Sequence, residues 1–405
     1  MNFNLLNNII KIILGLFLLT IIFNRIVFNI NEFFYPFPRE YRDGALIDIA
    51  NTFLQGKNPY LIENSLPHTY TYGFIMPLFI SFLYLILGKL LSLFYITKII
   101  NLSCLVLIIY FVIKQLKKYK TNILLILLSI AFILFYNFVT LRPENLAILL
   151  SFIALYIAQN SKKITKNKIL ILSAITIILF FIKQYFLIIF ITLSVYFCIF
   201  RSKKNLILYL LFFTLSLLIS FFLVNHFLPL YFPHTLINHM NLYNTHNLRW
   251  MVLQFKEFFL INFIISVVFI ISSLITLLRI IKINKIKINY KSINIRFLDL
   301  KNDYINIYFI STLINIITLI LLLGQHTGTY MTYFYQLLTI PLIINVIFFI
   351  NKISYRHNYI IYIFIIIFIL NYKNYLFPIK IDNKLEEKTW KDVLVNIRGL
   401  KALGF

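Results

Sequence analysis

Four carboxylates lie close together in the polar segment that follows the first apolar run of the chain. They are Glu40, Asp43, Asp48 and Glu63. Only 13% of the 405 residues are charged, and a carboxylate held against a bilayer is costly unless something uses it. An aspartate near a membrane surface can act as a general base that removes a proton from an incoming hydroxyl group. We therefore take Asp43 as the leading candidate for chemistry.

The spacing around Asp43 predicts a helix over 40–55. Glu40 and Asp43 then lie on one face of that helix, and a stripe of apolar residues between 45 and 53 could rest on the membrane surface. Gly56 is expected to end the helix, and Asn58-Pro59 to turn the chain. A simpler interpretation also fits: a solvated loop whose acids pair with Arg39 and Arg42.

A second polar group, Arg142-Pro143-Glu144, precedes a long apolar run. Proline at the start of a helix and glutamate in its first turn are typical of a helix N-terminus, and capping alone would explain Glu144. The functional interpretation makes Glu144 a second acid that faces the first polar segment.

Lys183 is a single positive charge in an otherwise apolar connection. Such a charge requires a partner, and an anionic phosphate and Glu144 are both candidates. The alternative is that the lysine extends its ammonium group to the membrane surface.

Two later segments contain further candidates for binding. The segment 226–258 contains Arg249, whose guanidinium group matches phosphate geometry, and several histidines whose spacing fits no metal site. The segment 324–330 contains His326 between two glycines and Tyr330 just after the second, and glycines allow a close approach of backbone or headgroup. It fits no nucleotide-binding loop, and no metal or other cofactor is expected.

The composition predicts the elements that must position these residues. Hydrophobic residues make up 61% of the chain, against about 45–50% in soluble domains, and several apolar runs are long enough to cross a bilayer. We therefore predict an all-α, polytopic membrane protein. The net charge of +25 does not indicate nucleic-acid binding, because the basic residues form short clusters between apolar runs.

The basic clusters predict the topology. The segments 114–120, 162–168, 201–204, 282–301 and 352–356 hold 19 positive residues, against four in the alternate connections between 121 and 371. This asymmetry places the clusters in the cytoplasm. It predicts about 11 transmembrane helices over residues 9–31, 93–113, 121–138, 145–158, 168–182, 185–200, 205–228, 259–281, 304–323, 332–350 and 357–372.

One apolar stretch, 73–88, does not fit this alternation as a separate crossing, so we predict a helix at the outer interface there. Two full crossings between 73 and 113 are the alternative. The transmembrane module then covers 1–372, with outer loops at 32–92 and 226–258, and 373–405 forms a short extracytoplasmic tail.

The order of these motifs resembles the GT-C membrane glycosyltransferases, which include polyprenyl-phosphate-mannose-dependent transferases, protein O-mannosyltransferases and the aminoarabinose transferases of lipid A. The resemblance covers about the first 200 residues and a later glycine-rich turn. Its elements are Asp43 after the first span, a Gly-x-x-Pro-Tyr motif ending at Tyr60, the turn Tyr72-Gly73, Arg142-Pro143-Glu144, Phe181-Ile182-Lys183-Gln184, and 324–333. Glu144 stands where the family has aspartate, and the tighter Pro-Pro pair of the family is absent.

The resemblance implies an inverting transferase that moves a sugar from a polyprenyl-phosphate carrier to a glycan, lipid or protein acceptor. The site would lie on the extracytoplasmic or lumenal face of the membrane, and the expected membrane is the bacterial inner membrane. Asp43 would be the general base and Glu144 a second catalytic acid. Substrate-binding residues would be Glu40, Tyr60, Tyr72, Arg142, Lys183, Arg249, His326 and Tyr330.

Three other functions are compatible with a polytopic protein. A flippase or transporter of lipid-linked glycans requires polar or broken helices near the bilayer midplane, and spans 2–8 contain no glycine and no midplane carboxylate. A polysaccharide polymerase or ligase would share the carrier lipid and the outer site. A non-catalytic scaffold would be indifferent to replacement of Asp43 by asparagine.

Overall fold

The computed structural model describes residues 3–38, 41–61, 63–64, 73–88, 90–161, 163–237, 248–287, 306–323, 331–354 and 359–372. Within these ranges all regular structure is helical, which confirms the predicted all-α class. The helices are α1 Phe3–Phe34, α2 Tyr41–Leu54, α3 Ile75–Leu87, α4 Leu93–Lys118, α5 Ile123–Tyr136, α6 Glu144–Asn160, α7 Lys166–Ile182, α8 Ile188–Phe200, α9 Lys203–Phe227, α10 Leu248–Ile261, α11 Phe263–Lys287, α12 Ile307–Thr318, α13 Met331–Ile353 and α14 Tyr359–Asn371.

Short non-α turns join some of these helices. A 3-10 helix, Gln184–Leu187, connects α7 to α8, and π-helical turns occupy Pro233–Ile237 and Leu319–Leu323. Several helices begin where the sequence provides a capping side chain. Ser92 Oγ accepts a hydrogen bond from the backbone of Tyr95, and Asn306 Oδ1 accepts one from the backbone of Phe309.

The helix lengths indicate a helical membrane protein without fixing the number of crossings. Four described helical stretches are long and apolar enough to cross a membrane: Leu5–Phe34, Leu93–Lys118, Lys203–Phe227 and Tyr333–Ile353. A fifth crossing is possible if α10 and α11, which meet at a bend of 99°, form one span. Every predicted span contains a helix, but the count of eleven stays a prediction.

The surface of the helix bundle is apolar, as a lipid environment requires. Large hydrophobic side chains such as Ile12, Phe23 and Phe222 are more than half exposed. The same exposure in water would create an aggregation-prone patch. Inside, α1 packs on α5, α7 on α9, and α12 between α8 and α13.

Helix α2 differs in one respect from the prediction. It spans nearly the expected residues and ends before Gly56, whose φ of 69° suits glycine. Its apolar stripe does not lie open to a membrane surface, however. Leu46, Ile49 and Ala50 are buried, because α2 packs against α3 and α4. This packing fixes the face of α2 that carries Asp43.

Helix α3 begins at the same end of the bundle as α4. The amide of Gly73, just before α3, donates to the carbonyl of Ile182 at the end of α7 (3.2 Å). Lys98, in the second turn of α4, binds the carbonyls of Glu32 and Tyr35 at the end of α1. A crossing by α3 would deliver the chain to the opposite end, so the shared starting end of α3 and α4 favours the predicted interfacial helix. The number of crossings between 73 and 113 stays a prediction.

Candidate functional site

A cavity of about 400 Å³ opens where the ends of α1, α2, α5, α6, α10 and α13 meet. We call it the acidic cavity. Three of its lining residues are carboxylates and one is an arginine; the polar lining consists of Glu32, Asp43, Asn137, Thr140, Arg142, Glu144, Asn145 and Gln336. Its volume lies in the range of small-molecule sites.

The acidic cavity brings together the two polar groups that the sequence singled out. Asp43 is only 4% exposed, in the first turn of α2, and Arg142 lies almost a hundred residues later. The Nε atom of Arg142 is 3.5 Å from Oδ1 of Asp43. This ion pair offsets the cost of burying the carboxylate. It joins the first polar segment to the connection between α5 and α6.

Glu144 forms a second ion pair, with Lys183. Its Oε1 atom is 2.5 Å from Lys183 Nζ, and both residues are buried. Glu144 lies in the first turn of α6, directly after the N-cap residue Pro143, and its ion pair with Lys183 is an interaction beyond the beginning of the helix. Its second oxygen, Oε2, is buried without a hydrogen-bond partner. Lys183 therefore holds one carboxylate oxygen of Glu144, while the other is buried without a hydrogen-bond partner in a residue that lines the cavity.

Three environments were predicted for Lys183: an anionic phosphate, Glu144 or the membrane surface. The structure shows the pair with Glu144. Lys183 is 2% exposed and lies outside the residues that line the cavity. Its Nζ atom is also 5.0 Å from the ring centre of Tyr185 and 5.4 Å from that of Tyr333, distances typical of cation–π contacts. Lys183 therefore positions Glu144 in this structure.

The connection 137–143, which carries Arg142, is tied to the helices around it. Asn29 of α1 accepts a hydrogen bond from the amide of Val139 (2.8 Å). Asn145 of α6 donates to the carbonyl of Phe138 (3.0 Å). Backbone groups in an irregular segment need such partners when water is excluded.

Sequence reasoning missed the contribution of α1. Arg25, Asn29 and Glu32 are all buried, and Glu32 lines the acidic cavity. The spacing i, i+4, i+7 places these three residues on one helix face. Three polar residues at helical spacing inside an apolar span are the signal that could have found them.

Aromatic side chains form the less polar part of the cavity. Tyr136 stacks on Tyr335 with ring centres 4.2 Å apart. The hydroxyl of Tyr136 donates to Oδ1 of Asn262 (2.6 Å), and Tyr372 donates to the same oxygen (2.9 Å). Asn262 lies at the bend between α10 and α11, so these hydrogen bonds fix the position of the neighbouring Ile261, which lines the cavity. Sequence reasoning assigned no role to these residues.

Several predicted substrate-binding residues do not line the acidic cavity. Tyr60 is buried in a separate aromatic cluster and packs edge-on against Tyr231 (4.9 Å). Arg249 is exposed near the start of α10. Four further candidates lie outside the described residues: Glu40, Tyr72, His326 and Tyr330.

Among the described residues, no group of three or more histidine, cysteine, aspartate or glutamate side chains is arranged to hold a metal ion. The chain matches no protein-family model, and neither the curated proteins nor the solved structures contain a match to it. A proposal for the function therefore rests on the cavity and its charged residues.

Proposed function

We propose that the chain is an inverting membrane glycosyltransferase that moves a sugar from a polyprenyl-phosphate carrier to an acceptor hydroxyl group. The reaction would take place on the outer or lumenal face. The observation that carries this proposal is the convergence of Asp43, Arg142 and Glu144 on one cavity. These residues belong to the segments that resemble the GT-C transferases.

The proposed reaction is a single displacement. The acceptor oxygen attacks the anomeric carbon as the bond from that carbon to the phosphate oxygen breaks. The polyprenyl phosphate leaves with the bonding electrons, and the acceptor proton passes to the carboxylate of Asp43. Attack on the face opposite the leaving group inverts the anomeric centre.

Arg142 suits a second task at the leaving group. Its guanidinium group lies beside Asp43 and lines the same cavity. A guanidinium can bind a carboxylate and a phosphate oxygen with different N–H groups. Charge that develops on the departing phosphate would be stabilised there. Lys183 is engaged with Glu144, so we assign the contact with phosphate to Arg142.

Transfer assays on membranes that contain the chain test the proposal. The donors are a panel of labelled polyprenyl monophosphate sugars and, separately, the matching nucleotide sugars. We expect transfer from at least one lipid-linked donor and a loss of about 100-fold or more in Asp43→Asn, because a positioned base contributes roughly that factor.

Asp48→Asn is the matched control, since Asp48 is exposed on the same helix. It should transfer sugar at the wild-type rate. Transfer from nucleotide sugars alone would disprove the proposed donor, and full activity in Asp43→Asn would disprove the proposed base. Movement of the intact lipid-linked sugar across vesicles without transfer would instead identify a flippase, and growth of a long polymer would identify a polymerase.

A further inference from the structure

We propose that Glu144 and Gln336 together bind neighbouring hydroxyl groups of the lipid-linked sugar, and that the turn containing Lys183 and Tyr185 positions both. This inference rests on the proposed function, which it extends to recognition of the sugar. Both residues line the acidic cavity, but they come from different helices, α6 and α13.

Glu144 supplies the hydrogen-bond acceptor. Lys183 binds Oε1 at 2.5 Å, and Oε2 is buried without a partner. An unpaired carboxylate oxygen in a closed environment is costly, and a ligand hydroxyl that donates to it removes that cost. The ion pair also prevents the carboxylate from turning away to find another donor.

Gln336 supplies the hydrogen-bond donor. The hydroxyl of Tyr185 donates to its Oε1 atom. The amide nitrogen of Gln336 has no hydrogen bond to another described residue. Because the oxygen is held by Tyr185, the side chain has a defined orientation, and its N–H groups are available to a molecule in the cavity.

One short turn holds both groups. Lys183 has an extended backbone (φ −160°, ψ 115°), and the 3-10 helix Gln184–Leu187 follows it directly. The amide of Phe186 donates to the carbonyl of Lys183 (2.9 Å), which closes the turn. Lys183 then contacts α6 and Tyr185 contacts α13. A change in this turn would therefore affect the acceptor and the donor together.

The pair fits a sugar better than a phosphate. A hydroxyl group both donates and accepts hydrogen bonds, so of two neighbouring hydroxyls one can donate a hydrogen bond to Glu144 and the other can accept one from Gln336. A phosphate has only acceptors at neutral pH and would be repelled by the carboxylate. The aromatic rings of Tyr136 and Tyr335 at the same cavity offer apolar surface for the C–H groups of a sugar ring.

The test compares the preferred lipid-linked donor with deoxy analogues that each lack one sugar hydroxyl. Binding to purified protein is measured by thermophoresis, and transfer is measured as kcat and KM. We expect the wild type to bind the intact donor at least about tenfold more tightly than one of the analogues, the effect of one hydrogen bond. Tyr185→Phe and Gln336→Leu should reduce this discrimination to less than about threefold and raise KM more than they lower kcat.

Tyr209→Phe is the matched control. It removes a buried hydroxyl that bonds Thr176 (3.0 Å), away from the acidic cavity, and it should keep the wild-type discrimination. Wild-type discrimination in Tyr185→Phe and Gln336→Leu would overturn the inference, as would equal binding of all analogues by the wild type. The binding measurement does not need turnover, so a wild type that binds with the expected discrimination but transfers nothing would disprove only the proposed function.

Discussion

Charged residues in and beside the acidic cavity link distant parts of the chain. Arg142 joins α2 to the connection after α5 through Asp43, and Lys183 joins the end of α7 to the start of α6 through Glu144. A buried ion pair contributes little net stability, because desolvation opposes the Coulomb attraction. Its effect is instead to make the position of each charge depend on its partner.

This dependence predicts that replacing Lys183 alone destabilises the protein more than replacing Lys183 and Glu144 together. Lys183→Met should destabilise the folded protein by about 3–5 kcal/mol, because Glu144 would keep a buried charge without compensation. The double variant Lys183→Met/Glu144→Leu should recover most of that loss. Thermal unfolding in detergent, followed as an apparent melting temperature, measures both effects.

Lys166→Met is the matched control for the lysine substitution. Lys166 is exposed at the start of the same helix, α7, and its replacement should leave the melting temperature nearly unchanged. An equal melting temperature for Lys183→Met and the wild type would show that the pair does not hold these helices together.

At the scale of elements, amide side chains stabilise the irregular segment 137–143. Asn29 on α1 is the long-range tether, because its Oδ1 accepts the Val139 amide while its own nitrogen donates to the carbonyl of Arg25 (2.9 Å). Leucine at this position would leave the Val139 amide buried without an acceptor, and such a group costs about 1–3 kcal/mol.

We therefore expect Asn29→Leu to accelerate hydrogen exchange in peptides that cover 137–143. Helix α9 should show no change and serves as the internal reference. Asn51→Leu, at an exposed position of α2, should leave exchange in 137–143 as it is in the wild type. Unchanged exchange in Asn29→Leu would mean that the tether does not order the segment.

A close backbone contact couples α3 to α7. A Cβ atom on Gly73 would lie 1.6 Å from the carbonyl oxygen of Phe181, so the two segments would have to separate. Gly73→Ala should lower the yield of folded protein sharply. Gly44→Ala is the comparison, because nothing lies within 4 Å of its Cβ position and alanine favours a helix over glycine by roughly 1 kcal/mol; it should fold at least as well as the wild type. Similar yields for both variants would contradict the close contact.

The elements of the fold could be predicted from the sequence more completely than the contacts between them. Apolar runs and basic clusters were enough to place a helix in each predicted span. The predicted topology placed Asp43 and Glu144 on the same side of the membrane, and this was enough to suggest a common site. The partner of Lys183 was open among three possibilities, because an ion pair between residues 39 positions apart leaves no local pattern. Gln336 is one of several polar residues in α13, and only its contact with Tyr185 and its place at the acidic cavity distinguish it.

At the scale of the whole molecule, polar groups gather at two opposite ends. At the end away from the acidic cavity, Lys118 bonds Asn160, and Arg201 binds the carbonyls of Ala158 and Ser161 (3.0 and 2.8 Å). Asn351 donates to the carbonyl of Tyr119 there (3.3 Å). The connections that carry four of the five basic clusters therefore meet at one end. Positive charge concentrated on one side is typical of the cytoplasmic face.

This arrangement predicts which residues a membrane-impermeant thiol reagent reaches in intact cells. In a chain whose two native cysteines, Cys104 and Cys198, are replaced by serine, Lys57→Cys should react, because Lys57 is exposed beside Asn58, which bonds the carbonyl of Pro229 at the cavity end. Lys117→Cys, exposed at the basic end, should react only after the membrane is permeabilised. The cysteine-free chain measures background labelling. The reverse pattern would place the acidic cavity in the cytoplasm, where nucleotide sugars are available, and an extracytoplasmic transferase would then be excluded.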